Sequence, residues 1–286
     1  MTSGGDGLAM INSHSFADAV QQRLGELRKA AEQRSRTLKA ESDEAARIQK
    51  VWEDLASFIS RGWHLHVLNL IEQEAALLTN LKDDKAARSL LEETYRISKE
   101  QAPNILRQFP ADLEVACRTA GLPLDRGSRH PRYTFRDGFF VLEVNEQKAT
   151  ARLSDYETRF DEFPADIGAA TEAVQREDKR VFGRPFDGSR FLKKLRSQYL
   201  AIVRKENQAD GATILIRRIT RRLGKNEKGF RTDEFLVDLS RLVQHGPTEI
   251  DGARLDLQQT KDTNEGMLLH GLAGRGYVGF IVFRKV

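Results

Sequence analysis

Asp137 and the run Glu146-Gln147-Lys148 have the residue types of a metal-dependent nuclease centre, where two carboxylates hold a divalent ion and a lysine helps position the attacking water. In such a centre the Glu-x-Lys run lies in a buried strand. Here Asp137-Gly138 and Asn145 to Lys148 both read as turns, so the pattern predicts two exposed hairpin ends before it predicts a nuclease. Asp256 with Gln259-Thr260-Lys261 is a weaker match of the same kind. The run from Gly271 to Gly279 has the glycine content of a phosphate-cradling loop, but it leads into a strand and lacks a lysine followed by Ser or Thr. It reads as a connecting loop with turn glycines.

His64 and His66 lie two apart, which on a helix turns them in different directions and makes a poor metal pair. His14, His130, His245 and His270 are scattered, and His130 beside Arg126 and Arg129 adds a small basic patch. The sole cysteine, Cys117, excludes an internal disulfide, and its neighbours Leu113, Val115 and Ala116 predict a buried helical thiol. No catalytic residue, metal ligand or cofactor site is assigned on these grounds.

Charge carries the stronger signal. Arg176 to Arg231 holds seventeen Lys and Arg against six Asp and Glu, a net of +11, whereas the whole chain nets +4. Within it, Ala212 to Leu223 (ATILIRRITRRL) is bounded by Asp210-Gly211 and Gly224, residue types that begin and end helices. At a helical period Ala212, Leu215, Ile216, Ile219 and Leu223 share one face, and Arg217, Arg218, Arg221 and Arg222 share the opposite one. Lys193 and Lys194 before this helix, and Lys225 and Lys228 after it, are outer members of the same candidate surface. Planar guanidinium groups gathered on one face suit phosphate oxygens. The same pattern also describes a solvated helix face, or one that meets an acidic protein.

The elements that must position these residues follow from periodicity. Residues 1–15, rich in Gly and Ser, read as a disordered lead-in. Residues 16–121 read as a helical, coiled-coil-containing region. Ser15 can cap its first helix, whose apolar positions step by four and three through Val20, Leu24, Leu27, Ala31, Leu38, Ala45, Ile48, Trp52, Leu55 and Ile59, with Arg34 and Glu41 in the seam. The seam can be met by the next helix, by a second copy or by another protein. Gly62 marks a break; a buried helix from Trp63 to Leu81, one from Ala86 that ends before Pro103, and a short one from Ala111 to Ala120 follow.

Beyond the Pro- and Gly-rich stretch 121–131 the apolar period becomes two. Three antiparallel strands are expected over residues 132 to 154, within a β-meander region of 132–163. Residues 164–286 then give helices over Asp166 to Val181, Arg190 to Lys205 (capped by Ser189), the arginine helix and Thr232 to Gln244, with strands at Ala253 to Gln258 and Tyr277 to Lys285. The overall expectation is an α+β, mainly helical chain ending in a winged-helix-like domain of three helices and a hairpin. The helix that would enter a groove in such a domain carries Asp233, Glu234 and Asp238, which phosphates repel, so contact is expected at the backbone through the arginine helix.

The function expected is that of a non-enzymatic subunit that assembles through the helix at 16–60, as a homodimer or with a protein partner, and holds nucleic-acid backbone, DNA ahead of RNA. A protein-interaction scaffold whose arginines meet an acidic partner is the alternative, and the nuclease reading is third. With neither a long apolar run nor a signal-peptide core, no membrane contact and a cytoplasmic location are expected.

Overall fold

The computed structural model describes residues 6–79, 84–271 and 277–286, with side chains from Val20 onward. The fold is mixed and mainly helical, with two antiparallel sheets. It divides into two compact units: the residues up to Gly62 with Val67–Arg96, and Trp63–His66 with Ile97–Val286.

In the first unit, α1 (Asp6–Arg61) is one continuous helix, about 80 Å long at the α-helical rise. It is already under way at Asp6, so Ser15 lies inside it rather than capping it; the first five residues of the expected lead-in lie outside the described residues. Every side chain from Val20 to Arg47 is exposed, including the seam residues Leu24, Leu27 and Leu38 at 59%, 67% and 56%. Cover begins at the half-buried Ile48 and is complete at Val51. There α2 (His64–Gln73), α3 (Ala75–Thr79) and the start of α4 (Lys85–Thr119) bring Val67, Leu78 and Leu91 against Trp52, Leu55 and Phe58. The single helix expected from Trp63 is therefore two, interrupted at Glu74, whose carboxylate takes Arg47 at 2.7 Å.

The expected helix end before Pro103 is also corrected, because α4 runs through both Pro103 and Pro110. A proline inside a helix costs about 3 kcal/mol. Phe109, Leu113 and Cys117, buried at steps of four, offset it, since burying a Phe or Leu side chain contributes about 1.5–3 kcal/mol. Burial holds the Cys117 thiol up at about 11, which makes it an inert core group.

The second unit opens with the meander. Four strands form it rather than three: β1 (Arg132–Phe135), β2 (Phe140–Asn145), β3 (Thr150–Ser154) and β4 (Arg159–Pro164), in sequential antiparallel order. The sequence of β4, RFDEFP, hides its alternation behind two acids and a proline, and its pairing to β3 carries it. The β1–β2 turn is tight, with Arg136, Asp137 and Gly138 all at positive φ, and the Asp125 carboxylate accepts from the Asp137 and Gly138 N–H groups at 2.9 and 2.7 Å. α5 (Ile167–Phe182) lies against β3 and β4 through its small residues Ala169, Ala170 and Ala173.

Asp166 stands at the N-cap position of α5 but makes no side-chain bond to that helix. Its buried carboxylate instead accepts from the Leu65 and His66 N–H groups at 3.1 and 2.8 Å and from His66 Nδ1 at 2.7 Å. His64 Nδ1 meets Ser98 Oγ at 3.2 Å. The two histidines are thus structural.

The rest of the unit follows as α6 (Gly188–Lys205), β5 (Ile214–Leu215), α7 (Ile216–Asn226), α8 (Thr232–His245), β6 (Glu249–Ile250), β7 (Ala253–Thr260), β8 (Met267–Leu268) and β9 (Tyr277–Lys285). β9 lies between β5 and β7, with β6 beyond β7 and β8 alongside β9. The three helices close over this sheet around Leu195, Tyr199, Ile219, Leu239 and Ile281. The Tyr199 hydroxyl donates to the Ala212 carbonyl at 2.7 Å and accepts from Gly211 N–H at 3.1 Å, tying α6 to the chain entering β5.

Candidate nucleic-acid interface

The basic surface is built on α6 and α7, neither of which contains a single carboxylate. α6 is capped by Asp187, which accepts from Arg190 N–H at 3.0 Å, rather than by Ser189. It buries Leu192, Leu195, Arg196, Tyr199, Ile202 and Val203, and leaves Arg190, Lys193, Lys194, Arg204 and Lys205 exposed. The buried Arg196 serves the fold: it grips Asp210 with both terminal nitrogens at 2.7 and 2.5 Å, stacks over Phe283, and holds the Asp210 carboxyl below its ordinary range.

α7 starts one turn later than expected, because the β-branched Ile214 and its neighbour Leu215 pair with Ile281 and Phe280 of β9. It also continues through Gly224 to Asn226. Ile216, Ile219 and Leu223 are buried as the period predicts.

The four arginines of α7 have different fates. Arg217 is a clamp: its guanidinium takes both oxygens of Glu157, in the β3–β4 turn, at 2.9 and 2.8 Å and the Gly266 carbonyl at 2.9 Å. That carboxylate holds the Arg217 pKa above its ordinary value. Arg218 pairs with Glu206, the residue that ends α6. Arg222 Nε donates to the neutral Gln198 Oε1 at 2.9 Å, so its charge is not neutralised. Arg221 is exposed and has no partner among the described residues.

Of the outer members, Lys194 pairs with Glu227 at 2.6 Å, while Lys193, Lys225 and Lys228 are exposed and have no partner among the described residues. The Lys194 and Gln198 contacts bring the exposed faces of α6 and α7 together as one strip. Arg190, Arg204 and Lys205 extend it, and their helical phase carried the signal that would have found them: Arg190 stands three and four residues before Lys193 and Lys194, and Arg204 and Lys205 about three turns after.

α8 behaves in the opposite way. No residue from Thr232 to Val243 is exposed. Arg180 of α5 takes Glu177 of its own helix and Asp233 and Glu234 of α8, and Arg184 reaches Asp238 at 3.1 Å and the Glu234 carbonyl at 3.1 Å. Arg241 returns from α8 to the Phe182 carbonyl at 2.6 Å. The acidic side of α8 thus faces Arg180 of α5 and Arg184 just beyond it.

No protein-family model, curated protein or solved structure matches this chain. Function therefore rests on the geometry of the site.

That geometry does not assemble the nuclease pattern. Asp137 precedes β2 and Glu146 and Lys148 follow it, so the length of the strand, about 20 Å at 3.3 Å per residue, separates them. Glu146 instead accepts from His130 Nε2 at 2.7 Å, and His130 Nδ1 meets the Tyr133 hydroxyl at 3.0 Å, which also ties His130 down as a structural group. Among the described residues no group of three or more His, Cys, Asp or Glu is placed to hold a metal ion. Residues 272–276 of the glycine-rich run lie outside the described residues; β9 begins directly after them. No helix among the described residues is long and apolar enough to cross a membrane.

Proposed function

We propose that this chain is a non-enzymatic subunit of a larger assembly that holds nucleic-acid backbone, DNA ahead of RNA, against the exposed strip of α6 and α7. The observation that carries the reading is the pair of adjacent carboxylate-free helices whose exposed cations Lys193, Arg221 and Lys225, with Lys228 in the loop just past α7, have no partner among the described residues. Arg222, bonded to a neutral amide, keeps its charge for the same contact. Arg217, Arg218 and Lys194, proposed from sequence for the same surface, act chiefly as supports.

The order of helix, short strand, two helices and two long strands, with β5 on β9 beside β7, supports reading the C-terminal region as a winged-helix domain. In this reading its third helix is withdrawn from recognition, and binding follows phosphates rather than bases. Such binding is independent of sequence and falls steeply with salt.

The test is binding of the full chain to labelled duplex DNA, single-stranded DNA and RNA across a salt series, beside a variant with Lys193, Arg221, Lys225 and Lys228 changed to Glu. The expected result is a linear fall of log affinity with log salt for the wild type, about 0.9 per phosphate neutralised, and loss of measurable binding in the variant. Equal affinity in a variant still folded by circular dichroism overturns the proposal. Absence of binding in both proteins favours an acidic protein partner, a reading supported by the way Arg217, Arg218 and Lys194 already take carboxylates on this side of α7.

A further inference from the structure

We propose that α1 pairs with α1 of a second copy of this chain, antiparallel, over Leu24 to Ile48. The inference rests on reading α1 as an assembly element and is independent of the basic strip. Over this stretch the helix presents a seam at steps of three and four, and nothing in its own unit covers the seam before Ile48.

The two charges in the seam choose the occupant and its direction. A parallel copy sets Arg34 on Arg34 and Glu41 on Glu41, and brings Arg23 beside Arg28 at the flank, three like-charge meetings. An antiparallel copy removes all three. With the two-fold axis at residue 36, Leu24 faces Ile48 of the second copy, Leu27 faces Ala45, Ala31 faces Glu41 and Arg34 faces Leu38. Arg34 and the second copy's Glu41 are then offset by three residues, about 4.5 Å along the axis, within reach of each other's long side chains, and the symmetry makes this pair twice. The flanks set Arg28 beside Ser42 and Glu44 beside Ala30, with no like charges.

Neighbouring registers do worse. Sliding one heptad toward the C-terminus places Leu27 against Trp52, where α1 is already covered within its unit; sliding toward the N-terminus separates Arg34 from Glu41. Charge placement and exposure thus agree on one register.

The experiment measures the mass of the full chain in solution and cross-links single-cysteine additions with a short bismaleimide; native Cys117 is buried and does not compete. A dimer is expected. Ser35→Cys, beside the two-fold axis, cross-links, whereas Leu24→Cys does not, because the two copies of residue 24 lie about 36 Å apart in this pairing. Arg34→Glu or Glu41→Arg alone raises the dissociation constant about tenfold or more, and the double exchange restores it, with helicity unchanged throughout. A monomer at all concentrations, cross-linking at residue 24 instead of 35, or no recovery in the double exchange overturns the pairing. Each outcome is separate from nucleic-acid binding, which the Lys193, Arg221, Lys225 and Lys228 variant reports.

Discussion

α7 and α8 are neighbours in the same unit, are both rich in charge, and put that charge to opposite uses. α7 buries one stripe and turns Arg221 and Lys225 outward with no partner among the described residues, whereas α8 has no exposed residue from Thr232 to Val243 and each of its acids has an arginine close by. The difference lies in what packs against them. α5 and the loop after it lay Arg180 and Arg184 along α8, and among the described residues no carboxylate pairs with Arg221 or Lys225 on α7. A charged residue is therefore informative about function only once its partners are known. Those partners sit 53 and 54 residues away for α8, and 60 away for Arg217.

Four substitutions break or sharpen this contrast. The largest effect is expected at Arg180→Ala, which leaves the buried Asp233 carboxylate with Arg231, at 3.4 Å, as its remaining cation; loss of about 3 kcal/mol in denaturant unfolding is predicted. A change below 1 kcal/mol there would mean that α8 is not held by its ion pairs.

Next comes Asp155, buried with no hydrogen-bond partner for Oδ2 among the described residues, whose pKa burial pushes up to about 6, with Asp233 and Glu157 adding to the rise. The folded state holds this proton more tightly than the unfolded chain, so its contribution to stability is greatest in acid and is lost as pH rises toward and past 6. A shift of this size corresponds to up to about 3 kcal/mol. Unfolding curves from pH 4 to 8 should show the wild type losing that amount relative to Asp155→Asn, and parallel curves would discount the buried carboxyl.

Arg217→Ala comes third. Removing the clamp on Glu157 and Gly266 should cost about 1–3 kcal/mol of stability and leave the salt slope of nucleic-acid binding unchanged. Arg221→Ala, one turn along, is the reverse case: stability within about 0.5 kcal/mol of wild type and a slope reduced by about 0.9. If both variants behave alike, the distinction between supporting and presenting arginines fails.

Much of this architecture is legible from local pattern. α6, α8, β7 and β9 lie within a few residues of where period and capping place them, and Asp137-Gly138 marks its turn. What escapes is whatever depends on distant partners. β4 is a strand because β3 offers a ladder, α4 passes two prolines because Phe109 and Leu113 are buried beyond the first, and β5 takes the opening of the arginine run because β9 is there to pair with it. The candidate surface divides in the same way. Its location on one face of α7 can be counted off the sequence, but the withdrawal of Arg217 and Arg218 into ion pairs requires Glu157 and Glu206 to be seen in place.

The reach of Asp166 to the backbone of residues 65 and 66 also bears on synthesis. As the chain leaves the ribosome, the first turn of α2 must wait for a hundred further residues before its amides find their acceptor. Nascent chains released before that point should leave the Leu65 and His66 amides open to hydrogen exchange, and chains released beyond α5 should close them.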